Sequence, residues 1–284
     1  MRPGGADLHV HTTASDGTLS PADTVREAAE RGVSLLAITD HDTTDGLAEA
    51  QAAAIQVGVA LIPGVELSVD LAAYDVHLLG YFIRQDDPDL QQVLRELRAG
   101  RNLRNERILE RLRSLGAPVE PERVREIAGP GSVGRPHVAA ALVEAGHVAS
   151  RTEAFTRYLA RGKPAFVPRM QLTPAEGCAV IRRAGGLAVL AHPAKIGSRT
   201  VLDELISAGV DGIEVYHSDH SAADVESLLA RAKAANLLAT GGSDSHGPHS
   251  DRPLAVGSLT FPTWAAEQLL ARAPEWWKQA HRSA

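Results

Sequence analysis

The chain has a single cysteine, Cys178, in 284 residues. One thiol excludes a disulfide framework and any thiolate metal cluster, and it fits a reducing compartment. Aromatic residues are also scarce, at 4%, so the core must be built from aliphatic side chains and alanine, which suits helices packed closely on a sheet. Basic residues are outnumbered: 29 Lys and Arg against 35 Asp and Glu leave a formal charge of −6. That balance argues against a protein that coats long DNA. No run approaches the ~18 apolar residues needed to span a bilayer, and the opening MRPGGADLHVH carries no apolar leader. The expectation is a cytoplasmic protein with no membrane partner. Histidine, in contrast, is plentiful, with twelve residues.

Short apolar runs alternate with amphipathic stretches. Strands are predicted at 6–10, 35–39, 59–63, 75–82, 187–191, 212–216 and 237–240. Helices are predicted at 21–31, 44–57, 173–184, 200–208 and 222–235. Regular βα repetition over this length predicts an α/β fold, either a parallel barrel or an open parallel sheet. Residues 86–165 break the rhythm. Apolar positions there recur at helical spacing (Leu90, Leu94, Leu97, then Ile108, Leu112, Leu115), which predicts a small helical subdomain inserted between barrel segments 1–85 and 166–284. Its Arg-rich window, Arg95 to Arg113, is either a solvated helix face offset by Glu106 and Glu110 or a source of phosphate ligands. A last helix is predicted over 264–280, with Trp276 and Trp277 packing on the barrel.

The densest chemistry opens the chain, in Asp7-Leu8-His9-Val10-His11. On a strand, His9 and His11 project from one face, where two imidazoles can ligate one divalent ion. Further ligand-type residues fall at or near later strand ends: Asp16, Asp40-His41-Asp42, Glu66, His77, His192, Asp244 and His246. In a parallel barrel such ends gather at one mouth, where active sites are built. Hard carboxylate oxygens mixed with imidazole, without sulfur, suit Mn²⁺, Fe²⁺, Zn²⁺ or Mg²⁺. So many groups imply two or three ions, an arrangement that favours hydrolysis at phosphorus. Asp40 or Asp42 would orient a neighbouring imidazole. His217, in Tyr216-His217-Ser218-Asp219-His220, is a candidate proton donor to a leaving oxygen. His217 and His220 are also candidate phosphate contacts.

The segments DLHVHTTASDGTLSP, AITDHDT, IPGVELS, VHLLGY, AHP and GSDSH, in this order over essentially the whole chain, resemble the motif series of the PHP (polymerase and histidinol phosphatase) metal-dependent phosphoesterases. The resemblance implies a distorted seven-stranded β/α PHP barrel holding a trinuclear centre. It implies that His9, His11, Glu66 and Asp244 hold a first ion. Glu66 would bridge to a second, completed by His77 and His192, and Asp16, His41 and His246 would hold a third. Asp16 stands where several members have His, a harder and more anionic ligand. Mn²⁺ is the favoured metal.

The inserted segment resembles that of small PHP phosphatases acting on nucleoside 3′,5′-bisphosphates, through Gly134-Arg135-Pro136-His137-Val138 and Arg161-Gly162-Lys163-Pro164-Ala165. Some members of that branch trim short RNA from its 5′ end. The resemblance implies a small phosphorylated nucleotide as substrate; Arg135, His137, Lys163 and His220 are the expected contacts, and His217 and Asp40 the expected catalytic groups. It implies a phosphomonoesterase releasing the 3′-phosphate. The rivals are an exoribonuclease on short RNA, a phosphatase of another small phosphate such as histidinol phosphate, and a metal-stabilised nucleotide-binding module without turnover.

Overall fold

The aliphatic runs and the amphipathic stretches between them fold into one seven-stranded sheet flanked by helices. The computed structural model describes residues 5–71, 74–129, 133–168, 172–250 and 253–281. In chain order the elements are β1 (Gly5–Asp7), α1 (Pro21–Glu30), β2 (Val33–Ile38), α2 (Leu47–Val57), β3 (Ala60–Leu71), β4 (Tyr74–Tyr81), α3 (Pro88–Ser114), α4 (Pro121–Ala128), α5 (Arg135–Glu144) and α6 (Arg151–Ala154). There follow a π-helical turn (Phe155–Leu159), α7 (Pro174–Arg183), β5 (Leu187–Leu190), α8 (Arg199–Ser207), β6 (Gly212–His217), α9 (Ala222–Ala234), β7 (Leu238–Gly242), α10 (Thr263–Ala271) and α11 (Glu275–Ala280). Helix starts follow local chemistry. Ser20, Thr173 and Ser221 each accept a hydrogen bond from a first-turn N–H, and Pro21 and Pro174 occupy positions where no donor is needed.

The strands lie side by side in sequence order. β1, β2 and β3 are parallel, as are β5, β6 and β7, but β4 runs antiparallel to both neighbours. Regular repetition in the sequence had suggested parallel strands throughout. Only two residues separate β3 from β4, too few for a crossover helix, so β4 has to return in the opposite direction. β3 is also longer than the five residues predicted, because Val65–Leu71 pair with β4. Beyond β1 the chain stays extended beside β7. Leu8 N donates to Gly241 O, Asp244 N to His9 O and His11 N to Ser245 O, so the first and last strands meet and the sheet approaches a closed barrel. Its core joins Leu8, Leu35, Ile62, Leu79, Tyr81, Phe82 and Val189 to Leu269 and Trp277.

The chain divides into two compact bodies, 1–93 with 172–284, and 94–171. The inserted body therefore begins and ends later than the 86–165 read from sequence. The start of α3 stays with the barrel, where Gln91 donates to Thr44. At the other end, Arg104 and Arg111 of α3 donate to the carbonyls of Val167 and Phe166 and hold that segment in the insertion. The insertion has its own core, including Ile108, Leu112, Val124, Val138, Leu142 and Leu159. The C-terminal stretch differs from the single helix predicted. Pro274 interrupts it, giving α10 and α11. Trp277 is buried and donates to Leu61 O, whereas Trp276 is exposed. Among the described residues, no helix is long and apolar enough to cross a membrane.

Candidate metal centre

Two devices place the histidines of the first strand. Asp7 is fully buried: its Oδ1 accepts from Ser243 N, and its Oδ2 accepts from Ser243 Oγ at 2.6 Å and Gly257 N at 2.7 Å. This ties the start of the chain to the segment after β7. Gly242 then passes directly against His9, where a Cβ would lie 2.4 Å from the His9 backbone nitrogen. Only glycine fits this close approach. His192 and Asp244, at the ends of β5 and β7, have φ values of 30° and 56°. Both are non-glycine residues in the left-handed region, which is strained and must be held by surrounding contacts.

The structure brings His9, His11, Asp16, His41, Glu66, His77, His192, Asp244 and His246 together at the mouth of the barrel. His9 Nε2 and His11 Nε2 lie 3.2–3.4 Å from both Glu66 Oε2 and Asp244 Oδ1. His41 Nδ1 is 3.0 Å from Glu66 Oε2, and His77 Nδ1 and His192 Nε2 are 2.7 and 3.0 Å from Glu66 Oε1. Asp16 faces His11, His41 and His246 at 3.5–3.8 Å. Yet His9 Nε2, His11 Nε2, His41 Nδ1, His77 Nδ1 and Glu66 Oε2 are buried and make no hydrogen bond. Each such atom costs on the order of 1–3 kcal/mol if nothing bonds it. Ligands about 2.1 Å from one ion sit roughly 3.0–3.4 Å apart, edge to edge. The spacing and the missing hydrogen bonds both fit groups arranged around cations. Among the described residues, four sets have donor atoms close enough to share an ion: His11-Asp16-His41-His246, His9-His11-Asp244, His41-Glu66-His77 and His9-Glu214-His217.

The electrostatics point the same way. Burial alone would lower the pKa of His9 and His11, but the surrounding carboxylates outweigh it. Glu214, Asp244 and Glu66 raise His9 well above its ordinary value, and Asp244 and Glu66 raise His11 to about 10. Despite burial, Glu66 and Asp244 stay well below the usual carboxylate range because imidazoles face them, His41, His77 and His9 for Glu66, and His9, His11 and His217 for Asp244. Burial drives His192 down to about 4. The pocket is anionic and demands positive charge.

The other residues singled out from sequence are placed differently. Asp40 has both oxygens taken up by Thr12 N, Thr12 Oγ1 and Ser15 Oγ, at 2.6–2.8 Å. It anchors the loop that carries Asp16 instead of offering a free carboxylate. Asp42 accepts from Ser68 N and Oγ, which steadies β3 beside Glu66. His217 is buried; its Nδ1 accepts from Asp219 N and its Nε2 donates to Asp244 Oδ2 at 3.2 Å. His220 donates from Nδ1 to Val215 O. In the inserted body, His137 Nδ1 accepts from Gly134 N and caps α5. Arg135 stacks its guanidinium over Phe155 and Phe166 at 5.7 and 5.9 Å, and Lys163 is exposed.

Two barrel residues escaped the sequence reading. Among the described residues, Lys195 is the one lysine or arginine lining a cavity of about 420 Å³, which is also lined by Glu66, His77, His192, Asp244, Tyr74 and Val76. Its Nζ lies 3.2 Å from Asp219 and 3.5 Å from Asp244. Glu214 is fully buried, accepting from His9 Nδ1 at 2.9 Å and from His192 N at 2.7 Å. Its signal was a carboxylate at a core position of the apolar run GIEVY, where a charge does not stay without partners.

Comparison with known proteins gives the same picture. The sequence profile described as "PHP domain" matches residues 7–113. The chain is 38% identical over 255 residues to a 3′,5′-nucleoside bisphosphate phosphatase of Chromobacterium violaceum, covering 85% of this chain and 87% of that protein. It is 39% identical over 249 residues to the 5′-3′ exoribonuclease Rnm of Escherichia coli, covering 85% of each. It superposes with a TM-score of 0.84 on the crystal structure of a Bifidobacterium adolescentis protein described as a metal-dependent phosphoesterase. That pair is 33% identical, with 96% of this chain and 98% of the other covered.

Proposed function

Because the chain belongs to the PHP-domain family of metal-dependent phosphoesterases, we propose that it removes the 3′-phosphate from nucleoside 3′,5′-bisphosphates, giving a nucleoside 5′-monophosphate and phosphate. The observation that carries this reading is the convergence of nine imidazole and carboxylate side chains, five of which (His9, His11, His41, Glu66 and His77) have buried donor atoms without a hydrogen bond. Two or three ions fit the donor sets; hard oxygens mixed with imidazole and no thiolate suit Mn²⁺, Fe²⁺, Zn²⁺ or Mg²⁺, and Mn²⁺ is the ion we propose. Bound there, divalent ions supply Lewis-acid activation of water and of the phosphoryl oxygens.

The chain's own residues supply the rest. Glu66 turns one oxygen toward His9, His11 and His41 and the other toward His77 and His192, the disposition of a bridging carboxylate. Lys195 adds a positive charge at the cavity wall for a phosphoryl oxygen. Tyr74, Val76 and Ile196 give that cavity an apolar side suited to the sugar, and its size lies within the usual range for small-molecule sites. Within the inserted body, Arg135 and Lys163 are the phosphate contacts we propose, because a fork and a point charge match phosphate oxygens.

Similarity to the exoribonuclease supports a second reading, 5′-to-3′ trimming of short RNA. Phosphate and nucleotide release from adenosine 3′,5′-bisphosphate, histidinol phosphate and a short 5′-phosphorylated RNA, each with and without chelator, separates the possibilities. Preferred turnover of the bisphosphate, abolished by chelation and restored by Mn²⁺, is the expected result. Full activity without metal, or turnover of RNA alone, overturns the proposal.

A further inference from the structure

Every other barrel strand, or the residues directly after it, contributes to the nine metal-type groups; β6 contributes none, yet two of its residues, Glu214 and His217, are buried charged or polar side chains. Both are in contact with that set. Glu214 Oε1 accepts from His9 Nδ1 at 2.9 Å, and Glu214 Oε2 accepts from the backbone N–H of His192 at 2.7 Å. The first bond fixes the His9 tautomer, leaving Nε2 facing Glu66 and Asp244. The second holds His192 at φ 30°, a conformation an ordinary residue does not keep unaided. Three residues on, His217 accepts at Nδ1 from Asp219 N, so its proton is on Nε2 and points to Asp244 Oδ2 at 3.2 Å. Lys195 Nζ lies 3.5 Å from the same oxygen. With Oδ2 engaged, Asp244 offers Oδ1 to the cluster, where His9 and His11 face it.

From this geometry we infer that β6 is the positioning strand of the metal centre. Glu214 sets the ring of His9 and the backbone of His192, and His217 selects which oxygen of Asp244 serves as ligand. His217 is thus a positioning residue and not the proton donor to the leaving group, because its only ring proton is already committed to a carboxylate. The inference rests on the metal-dependent reading of the site, but its principal test needs no substrate.

Mn²⁺ binding to chelator-treated full-length protein is measured for wild type, Glu214→Gln, His217→Phe and His217→Gln, together with the melting temperature of each ion-free variant. Glutamine at 217 can place an amide N–H close to where the ring Nε2 stood, while phenylalanine cannot. Loss of such an outer partner weakens metal binding by about 10–100-fold. The expected result is that weakening in Glu214→Gln and His217→Phe, with ion-free melting close to wild type and near-normal affinity in His217→Gln. If Glu214→Gln does not fold, Glu214→Asp, which keeps the charge but shortens its reach, is expected to lose at least tenfold in Mn²⁺ affinity. Wild-type affinity in the folded Glu214 variant overturns its assignment. Unchanged Mn²⁺ affinity in both His217 variants, with kcat lost equally in each, makes His217 a proton donor and overturns the other half. Should wild type bind Mn²⁺ but turn over no phosphate ester, the substrate proposal fails while the positioning role is still decided by the affinities.

Discussion

Gly242 and His9 approach so closely that a Cβ on the glycine would lie 2.4 Å from the Cβ of the histidine. The crossing of these two residues is where β7 meets the extension of β1, and it sets the position of the first imidazole in the cluster. Gly242→Ala must push the strands apart. Overpacking of this kind costs typically about 1–3 kcal/mol, and the displaced His9 should also weaken Mn²⁺ binding. Thermal unfolding and Mn²⁺ titration of the variant check both effects. Normal metal affinity would show that the crossing does not control the site.

Glu66 faces five of the imidazoles at once. Glu66→Gln keeps the volume but removes the anion and one acceptor. An ion that stabilises charge on the phosphoryl oxygens is worth several kcal/mol, so losing one together with the Glu66 anion is expected to lower the rate of phosphate release by about a thousandfold. Elemental analysis of the purified variant should show fewer ions per chain than wild type.

Arg135 is pre-oriented by Phe155 and Phe166. If its guanidinium binds the second phosphate of a bisphosphate, Arg135→Ala should raise KM for adenosine 3′,5′-bisphosphate by at least about tenfold while leaving kcat on a simple phosphate ester little changed. Equal effects on both substrates would remove the residue from that role.

Cys178 is 1% exposed, and burial pushes its thiol up to about 11. The folded state therefore keeps the thiol neutral at pH values where the unfolded chain would ionise it. Only above about pH 9 does this difference matter: unfolding then releases the proton, and stability falls as pH rises toward 11. A thiol reagent at pH 8 should leave native protein unmodified and label one site per chain in denaturant. Rapid labelling of the native state would contradict the burial.

Much of the metal-type cluster was legible because each of its side chains carries its chemistry with it. An imidazole or carboxylate near a strand end signals its capacity without knowledge of its partners. The positioning contacts were not legible in the same way. His217 read as a free acid because its Nε2 partner, Asp244, lies 27 residues away, and Asp40 read as catalytic because Thr12 and Ser15 approach it only in the fold. Helix limits such as α7 at Pro174–Arg183, read from sequence as 173–184, followed from local signals. The direction of β4 depended on the length of a single connection, and the apolar pattern of a strand does not record which way it runs.

The meeting of the first strand with the last has a consequence for biosynthesis. Asp7 and His9 find their partners in Ser243 and Asp244 more than 230 positions later, so a chain emerging from the ribosome has no finished cage until β7 is released. Folding of the barrel is then governed by contacts that close late and over long loops. Metallation becomes a post-translational event, and any stalled or truncated product lacking β7 would be unable to retain its ions.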